Sequence, residues 1–403
     1  VTVHMPLPLR ILTGNDPWFG EYSLVIFDGI SHMVLWNHEE HSEDVEKMKA
    51  FLILEDGHVF TGRSIGSTRE AVSEIVFNTS MTGYLEVMTD PSYAGQAVVM
   101  TYPLIGNYGI TPDAESKRPW VDGYIVRELS RMPSNFRCEG TIQDFLKEND
   151  IPGIAGIDTR ALTKILRDKG TMNGMITTDE HYELEKVLPR LKEYQTGNVV
   201  DKVTCDEKSV LNGKGKKVAL LDLGAKKNIA DSLHDRECEV TIYPAHTTAE
   251  EILAAKPDGI MLSNGPGDPK ECQAIIEEIR KLYESDVPIF AICLGHQLMA
   301  LATGADTYKL KYGHRGGNHP VKDLETGRVY ISSQNHGYAV DDKALDENIA
   351  VPAFVNVNDG TNEGLKYIGK NIFTVQFHPE ACPGPQDSSY LFDRFITMMG
   401  GNQ

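Results

Sequence analysis

Cys293 directly follows the apolar run 288–292, and a helical pattern begins a few residues later, at Gln297. On a strand–turn–helix connection of this kind, the tight turn exposes the cysteine side chain, and the N–H of Leu294 can face a developing oxyanion. The helix N-terminus also favours the thiolate, which is the attacking form. The pattern therefore predicts a nucleophile at Cys293. The alternative is a buried cysteine that serves only as a small hydrophobic residue.

A second strand pattern, 373–377, ends in His378, Pro379 and Glu380. Residues two apart on an extended chain face the same side, so Glu380 can approach the His378 ring. One imidazole nitrogen can then take the thiol proton while the carboxylate holds the other N–H. Alone, a histidine beside a proline is more often an ordinary loop residue. With Cys293 at the end of another strand, the set predicts a Cys–His–Glu triad.

Two further polar segments follow predicted strands. The turn 263–269 carries Gly265 and Gly267 around a proline, and its N–H groups could complete an oxyanion hole with Leu294. It lacks the spacing of a phosphate-binding loop. Segment 333–338 follows a strand predicted at 329–332. His314, His319 and His336 have intervals that fit no familiar metal site, so structural or substrate-orienting roles are expected and no metal ligand is predicted.

The elements that must position these residues differ along the chain. From residue 218, strands alternate with helices, which predicts an α/β domain at 218–403 with a doubly wound, mostly parallel sheet and ligands at the strands' carboxyl ends. Residues 48–200 predict a mixed α/β domain with a helix between Asp158 and Gly170. Polar residues 201–217 predict a linker. Residues 1–47, rich in tryptophan, proline and acid, are expected to be an extension of unknown role.

Composition excludes several classes of protein. The chain has 403 residues, 41% hydrophobic and 24% charged, with a formal net charge of −19. Nucleic-acid binding is not expected, because no clustered run of Lys and Arg is present. The six cysteines are scattered, which fits a reducing compartment. No apolar stretch approaches the length of a membrane helix and no secretory signal is recognisable, so we expect a cytoplasmic protein.

The motifs at 293–297, 263–269 and 378–380 together resemble the three signatures of the triad-type (class I) glutamine amidotransferases. The N-terminal half resembles the small chain of carbamoyl-phosphate synthase. That likeness rests on segments 54–57, 77–84, 89–93, 102–107 and 156–160, and on 311–320 farther along the chain. The resemblance runs from Met48 to the C-terminus and does not extend to residues 1–47.

The resemblance implies a flavodoxin-like amidotransferase domain and a role for each matched position. Cys293 would form a glutamyl thioester, His378 would act as acid and base, and Glu380 would orient His378. The N–H groups of Gly265 and Leu294 would form the oxyanion hole. The positions where the family grips glutamine are Ser92, Gly267, Gln297, Asn335, Gly337 and Tyr338. Tyr338 stands where phenylalanine is frequent, and Ser92 would come from the N-terminal domain.

The resemblance also implies partners. A large synthetase chain would bind ATP and magnesium, while this chain would need no cofactor. The large chain would receive ammonia through an internal tunnel and make carbamoyl phosphate from bicarbonate for arginine and pyrimidine biosynthesis. The pair would be a heterodimer, compatible with higher oligomers. Two alternatives stay open: the amidotransferase of another complex, such as anthranilate or GMP synthesis, and a catalytically silent scaffold.

Overall fold

The computed structural model describes residues 10–16, 20–27, 30–34, 48–381 and 383–400. The chain divides into two compact units, Val1–Met48 and Lys49–Gln403. In the first unit, three strands form a small antiparallel sheet: β1 (Arg10–Asp16), β2 (Gly20–Phe27) and β3 (Ile30–Val34). The segment predicted as an extension therefore contains regular backbone structure. Across the described residues, no helix has the length and apolar character needed to cross a membrane.

The second unit begins with a closed barrel of seven strands. They are β4 (Lys49–Leu54), β5 (Val59–Ser64), β6 (Ala71–Asn78), β7 (Gln96–Met100), β9 (Gly123–Val126), β11 (Gly153–Ala155) and β12 (Met172–Thr177). Their spatial order is β11-β5-β4-β12-β6-β7-β9. Along β7, Val98 and Met100 pack in one apolar cluster while Ala97 and Val99 pack in another. Both faces of the strand are therefore buried, and closure leaves the barrel without free edges.

Short elements connect and cover the barrel strands. They are β8 (Leu104–Ile105), β10 (Glu128–Leu129), α1 (Tyr84–Thr89), α2 (Ile142–Glu148), α3 (Thr159–Lys169), α4 (Leu184–Glu193) and α5 (Val200–Val203). Helix α3 is the helix predicted from the sequence. The Asp158 carboxylate caps it by accepting from the N–H of Ala161, and the N–H of Gly170 closes it on the Leu166 carbonyl. Leu162 and Leu166 are its fully buried residues on the apolar side.

Ten further strands form one sheet, which we call the second sheet. They are β13 (Ser209–Leu211), β14 (Lys217–Asp222), β15 (Glu239–Pro244), β16 (Gly259–Leu262), β17 (Ile289–Ile292), β18 (Asp306–Asp323), β19 (Val329–Asp341), β20 (Ala350–Asn356), β21 (Asn362–Tyr367) and β22 (Ile372–Val375). The helices between and after them are α6 (Lys227–His234), α7 (Ala249–Ala254), α8 (Gln273–Tyr283), α9 (Leu294–Ala302) and α10 (Tyr390–Met398).

The centre of this sheet is parallel, in the spatial order β15-β14-β16-β17-β22. Counted along the chain from β14, this is the 2-1-3-4-5 order of flavodoxin-like folds. Antiparallel strands extend the sheet at both sides. Leu221 and Leu262 pack on the side of α8 and α9, whereas Leu220 and Met261 pack on the side of α6 and α10. The predicted α/β fold class, with its doubly wound C-terminal domain, is confirmed.

Two segments differ from their predicted conformation. Residues 333–338, predicted to follow a strand, lie inside β19, because the pairing with β18 continues through them with shifts of register around His314 and His319. The predicted linker 201–217 includes the end of α5 and all of β13, which pairs antiparallel with β15. The segment that leads out of the barrel therefore adds an edge strand to the second sheet.

Candidate functional site

The connection between β17 and α9 holds Cys293 in an unusual backbone conformation. Its φ is 52° and its ψ is −104°, in a region that costs a non-glycine residue about 1–3 kcal/mol. The N–H of Cys293 donates to the carbonyl of Val375 at 2.8 Å, which ties the turn to the end of β22. The strand–turn–helix connection is present as predicted. The side chain, however, is only 2% exposed, and it borders a cavity of about 470 Å³.

Two glycines allow the neighbouring turns to approach each other. A Cβ on Gly295 would lie 2.6 Å from the Leu262 carbonyl oxygen, and a Cβ on Gly265 would lie 2.1 Å from that of Leu223. Both distances are shorter than any side chain tolerates. The N–H of Gly295 also donates to the Ser263 carbonyl at 3.0 Å. The turn at the end of β16 is thereby packed against the first turn of α9. The two predicted oxyanion donors lie in these turns, Gly265 in the first and Leu294 in the second.

His378 and Glu380 form a buried pair just beyond β22. The Nδ1 of His378 lies 2.7 Å from a carboxylate oxygen of Glu380, and both side chains are completely buried. With Nδ1–H donating to the carboxylate, Nε2 is left with a lone pair. This Nε2 is buried and has no hydrogen-bond partner among the described residues. Because Ile292 pairs with Val375, the ends of β17 and β22 are adjacent, with Cys293 one residue beyond β17 and His378 three residues beyond β22.

A lysine that the motif analysis missed completes this pair. The Nζ of Lys226 lies 3.2 Å from Glu380 and donates to the Ala381 carbonyl at 3.1 Å. Burial alone would raise the pKa of Glu380, but Lys226 and His378 lower it to about 2. Lys226 follows the carboxyl end of β14, so the rule used for the other strand ends would also have pointed to it.

The barrel contributes polar groups to the same site. The carboxylate of Asp90 accepts hydrogen bonds from the N–H of Ser92 at 2.9 Å and from the side-chain amide of Asn335 at 3.0 Å. The hydroxyl of Ser92 accepts from the amide of Asn264 at 2.9 Å. Residues of the barrel and of the second sheet are thus joined across the cavity. Asp90 lies in the quoted segment 89–93, although sequence reasoning selected only Ser92 from it.

The Cys293 thiol is held in its neutral form. Burial raises its pKa well above the usual range, and the carboxylates of Asp90 and Glu380 raise it further. Lys226 and the N–H of Leu294 oppose this increase only in part. The helix N-terminus was expected to favour the thiolate, but in this structure burial dominates. The thiol donates to the carbonyl of Asn335 at 3.7 Å. A base is therefore needed to generate the nucleophile.

The cavity collects the residues predicted to hold glutamine. Its lining includes Cys293 and every predicted substrate-binding residue except Leu294, namely Ser92, Gly265, Gly267, Gln297, Asn335, Gly337 and Tyr338. The amide of Gln297 donates to the Tyr338 carbonyl and to the side chain of Gln376, each at 2.9 Å. The lining also includes Arg315, which sequence reasoning missed. The arrangement is compatible with the predicted roles of these residues, which stay predictions.

Spacing in the sequence did not reveal a cluster of two histidines and a glutamate, which come from β18, β19 and β21. Atoms of His314, His336 and Glu363 that could bind a metal lie within 4.8 Å of one another. Burial lowers the pKa of His314, but Glu363 and Asp359 outweigh it and the pKa is raised. The His314 ring lies between two carboxylates, with Nε2 at 2.8 Å from Asp359 and Nδ1 at 3.5 Å from Glu363. The Nδ1–H of His336 can donate to the Tyr338 carbonyl at 2.7 Å, so the cluster supports the strand that lines the cavity.

Comparisons with known proteins match nearly all of the second unit. Residues 52–176 match the family described as carbamoyl-phosphate synthase small chain, CPSase domain, and residues 219–398 match glutamine amidotransferase class-I. The carbamoyl phosphate synthase small chain of Clostridium perfringens is 54% identical over 350 residues, which cover 87% of this chain and 99% of the relative. The protein of that name from Listeria monocytogenes is 51% identical over 357 residues, covering 88% and 98%. The pyrimidine-specific small chain of Bacillus subtilis is 50% identical over 354 residues, covering 87% and 96%.

Replacing Lys226 by methionine tests the buried ion pair between Lys226 and Glu380. The change leaves the Glu380 carboxylate buried without this cation, so we expect a loss of about 3–5 kcal/mol in the free energy of unfolding at pH 7. In the wild type, the folded pKa of Glu380 lies below its ordinary 4.5. Its contribution is therefore complete above pH 4.5 and is lost as the pH falls towards 2. Denaturant unfolding at several pH values should show that Lys226→Met shrinks this pH-dependent difference.

The matched control for that variant is Lys227→Met. Lys227 is the next residue, and its exposed side chain pairs with Asp231 on the same helix. Exposed pairs contribute about 0–1 kcal/mol, so the control should unfold nearly as the wild type does. Equal losses in the free energy of unfolding in the two variants would contradict a stabilising role for the buried Lys226–Glu380 pair.

Replacing Gly265 by alanine tests the oxyanion geometry. The added Cβ collides with the Leu223 carbonyl, so the turn must move and carry its N–H away from the cavity. We expect the glutaminase kcat to fall by about 10²–10³-fold, the usual cost of losing one oxyanion donor. Gly140→Ala is a control for glycine removal, since Gly140, like Gly265, has no positive φ but its surroundings are open. Unchanged kcat in Gly265→Ala would argue against an oxyanion role for this turn.

Proposed function

Because the chain belongs to the carbamoyl-phosphate synthase small-chain family, we propose that it hydrolyses glutamine at Cys293 and passes the ammonia to a synthetase large chain. The observation that carries this proposal is the arrangement of three groups. Cys293 sits on a strained turn at a cavity, His378 and Glu380 leave the adjacent strand, and the free Nε2 of His378 is available as a base.

The first half of the proposed reaction forms a thioester. His378 takes the thiol proton on Nε2, and the Cys293 sulfur attacks the amide carbon of glutamine. Negative charge develops on the amide oxygen, where the N–H groups of Leu294 and Gly265 can stabilise it. The C–N bond then breaks, and the leaving nitrogen takes the proton from His378. The products of this half are neutral ammonia and a glutamyl group bonded to the Cys293 sulfur.

The second half releases glutamate. A water molecule gives a proton to His378 and attacks the thioester carbon, the C–S bond breaks, and the sulfur takes the proton back. Glu380 keeps its negative charge throughout, because its pKa of about 2 lies far below neutral pH. It therefore orients the ring and stabilises the imidazolium that forms twice in each cycle. Lys226 keeps this carboxylate ionised and in place.

Recognition of glutamine requires a group for each end of the amino acid. Its α-ammonium needs acceptors and its α-carboxylate needs donors. The cavity offers the hydroxyl of Ser92, the amides of Gln297 and Asn335, and the main chain around Gly337. The hydroxyl of Tyr338 is also hydrogen-bonded to Asp268, which fixes that ring at the cavity edge. We propose that these groups hold the amino acid while its amide faces Cys293.

The fate of the ammonia follows from its chemistry. Neutral ammonia is the nucleophile that a synthetase needs, and release into water near pH 7 would protonate it. We therefore propose transfer through an internal tunnel to a large chain that binds ATP and magnesium and makes carbamoyl phosphate from the ammonia, bicarbonate and the phosphoryl group of ATP. The resulting carbamoyl phosphate would serve arginine and pyrimidine biosynthesis. A cytoplasmic heterodimer is the corresponding assembly, without a cofactor in this chain.

The two alternative functions make different predictions. An amidotransferase for anthranilate or GMP synthesis would not need the barrel, which matches the carbamoyl-phosphate synthase domain. A silent scaffold would not need an ionised Glu380 or a free His378 Nε2 in a closed core. Co-purification with a synthetase chain distinguishes the first alternative, and glutamate release distinguishes the second.

A series of three variants tests the proposed mechanism. In the presence of the large chain, we expect Cys293→Ala to abolish glutamate release, because no other described group at the cavity is placed to form the thioester. His378→Asn should reduce kcat nearly as much. Glu380→Ala should reduce it less, because an orienting group contributes less than the nucleophile. Glutamate release is measured at saturating glutamine, with ammonia-dependent synthesis by the complex as the control for folding.

A second measurement in the same series detects the thioester itself. Rapid acid quenching of the wild type with radiolabelled glutamine should trap label on the protein, whereas Cys293→Ala should trap none. Persistent glutamate release by Cys293→Ala, or equal kcat losses for Cys293→Ala and Glu380→Ala, would contradict the proposed roles.

A further inference from the structure

A second depression, which we call the basic groove, lies on the barrel beside helix α3. It has a volume of about 630 Å³ and lies between α3 and the connections that follow β6 and β7. The groove is lined by Thr79, Thr101, Pro103, Arg127, Asp158, Thr159, Arg160, Thr163, Lys164 and Arg167. None of these residues belongs to the lining of the cavity beside Cys293, which we call the glutamine cavity.

The charge of this groove is opposite to that of the chain. It brings together the cations Arg127, Arg160, Lys164 and Arg167 in a protein whose formal charge is −19. Its one carboxylate, Asp158, is already engaged as the cap of α3. The groove is therefore a local positive surface on an acidic molecule, a pattern that attracts a negatively charged partner.

These cations are largely available for a partner. Across the described ranges, Arg127, Arg160 and Lys164 form no ion pair with Asp or Glu, and Arg167 pairs with its exposed neighbour Asp168 at 2.9 Å. Arg127 makes one hydrogen bond, to the Ile157 carbonyl at 3.2 Å. All four side chains are exposed. Their long apolar stems and charged heads suit a broad contact with another protein.

Apolar side chains within two residues of the groove lining in the sequence are also exposed. Met81 is 65% exposed, and Tyr102 and Leu104, which flank the lining residue Pro103, are 40% and 39% exposed. Methionine, tyrosine and arginine are enriched in protein interfaces. A site for a small phosphate ligand would instead hold its cations in a recessed pocket with buried donors. The exposed cations and apolar neighbours favour a protein surface as the occupant.

Hydrogen bonds between Thr79 and Arg315 connect the basic groove to the glutamine cavity. Thr79 lines the groove, and its N–H and hydroxyl both donate to the carbonyl of Arg315, at 3.3 and 3.2 Å. Arg315 in turn lines the glutamine cavity. A partner seated on the groove would thus lie close to the point where ammonia is released.

We propose that the basic groove docks an acidic segment of the synthetase large chain, the partner that consumes the ammonia. This inference rests on the proposed function and adds the surface through which the two chains recognise each other. Opposite charges at the rim of such an interface accelerate association and make it sensitive to salt.

Charge reversal on α3 tests the docking site. The variant Arg160→Glu, Lys164→Glu and Arg167→Glu is titrated with the large chain, and its Kd is compared with that of the wild type at two salt concentrations. We expect the Kd to rise by at least about tenfold at low salt, and the salt dependence of binding to decrease. The matched control is Lys186→Glu, Arg190→Glu and Lys192→Glu on α4, which makes the same change of net charge on another exposed helix. The thermal unfolding midpoint of each variant shows that it is folded.

Each outcome has a defined meaning. Weaker binding by the α3 variant alone supports the docking site. Equal Kd values for the wild type and both variants, or equal weakening by both variants, would overturn it. Saturable binding of inorganic pyrophosphate that only the α3 variant loses, with an unchanged Kd for the large chain, would overturn it in favour of a small-anion site. A wild-type chain that binds no large chain would remove the proposed function, and the docking site with it.

Discussion

The backbone conformation of Cys293 is the constraint on which the site depends. A residue at φ 52° and ψ −104° persists only if its surroundings hold it there. The hydrogen bond from Cys293 to Val375 and the packing of Gly295 on Leu262 provide that support. Once this turn is fixed, the sulfur faces the cavity and α9 begins immediately behind it. The parallel order of β16, β17 and β22 then places the Gly265 turn and the His378 turn after the two strands that flank β17.

Charge at this site is organised around the buried Glu380 carboxylate, which stays ionised beside His378. Lys226 and Glu380 neutralise each other in the core, and His378 is oriented by the carboxylate. The same burial keeps the proton on Cys293. In the proposed mechanism, transfer of this proton to Nε2 of His378 creates the thiolate that attacks glutamine. The desolvation cost of burying Lys226 and Glu380 is opposed by their mutual attraction and by the hydrogen bond from Lys226 to the Ala381 carbonyl.

Local patterns predicted much of this arrangement. The apolar run before Cys293, the i and i+2 spacing of His378 and Glu380, and the cap and stop of α3 each act over a few residues, and each feature is present in the structure. What could not be predicted depends on contacts between distant segments. Asp90 meets Asn335 only after the barrel and the second sheet have packed. Lys226 meets Glu380 and His314 meets Glu363 only after the distant strands of the second sheet have assembled. The strand conformation of 333–338 likewise comes from pairing with β18, which no local signal in that segment encodes.

The central claim is that Cys293 releases the nitrogen that a synthetase then uses, without equilibration with water. It is tested most directly by supplying the complex of this chain and its large chain with glutamine labelled with ¹⁵N in the amide group, together with excess unlabelled ammonium, bicarbonate and ATP. The isotope content of the carbamoyl phosphate is then measured. Our account predicts that the product carries the ¹⁵N label despite the excess of unlabelled ammonium, and that Cys293→Ala makes the product unlabelled. Product from the wild type with the isotope ratio of the bulk ammonium would contradict the account.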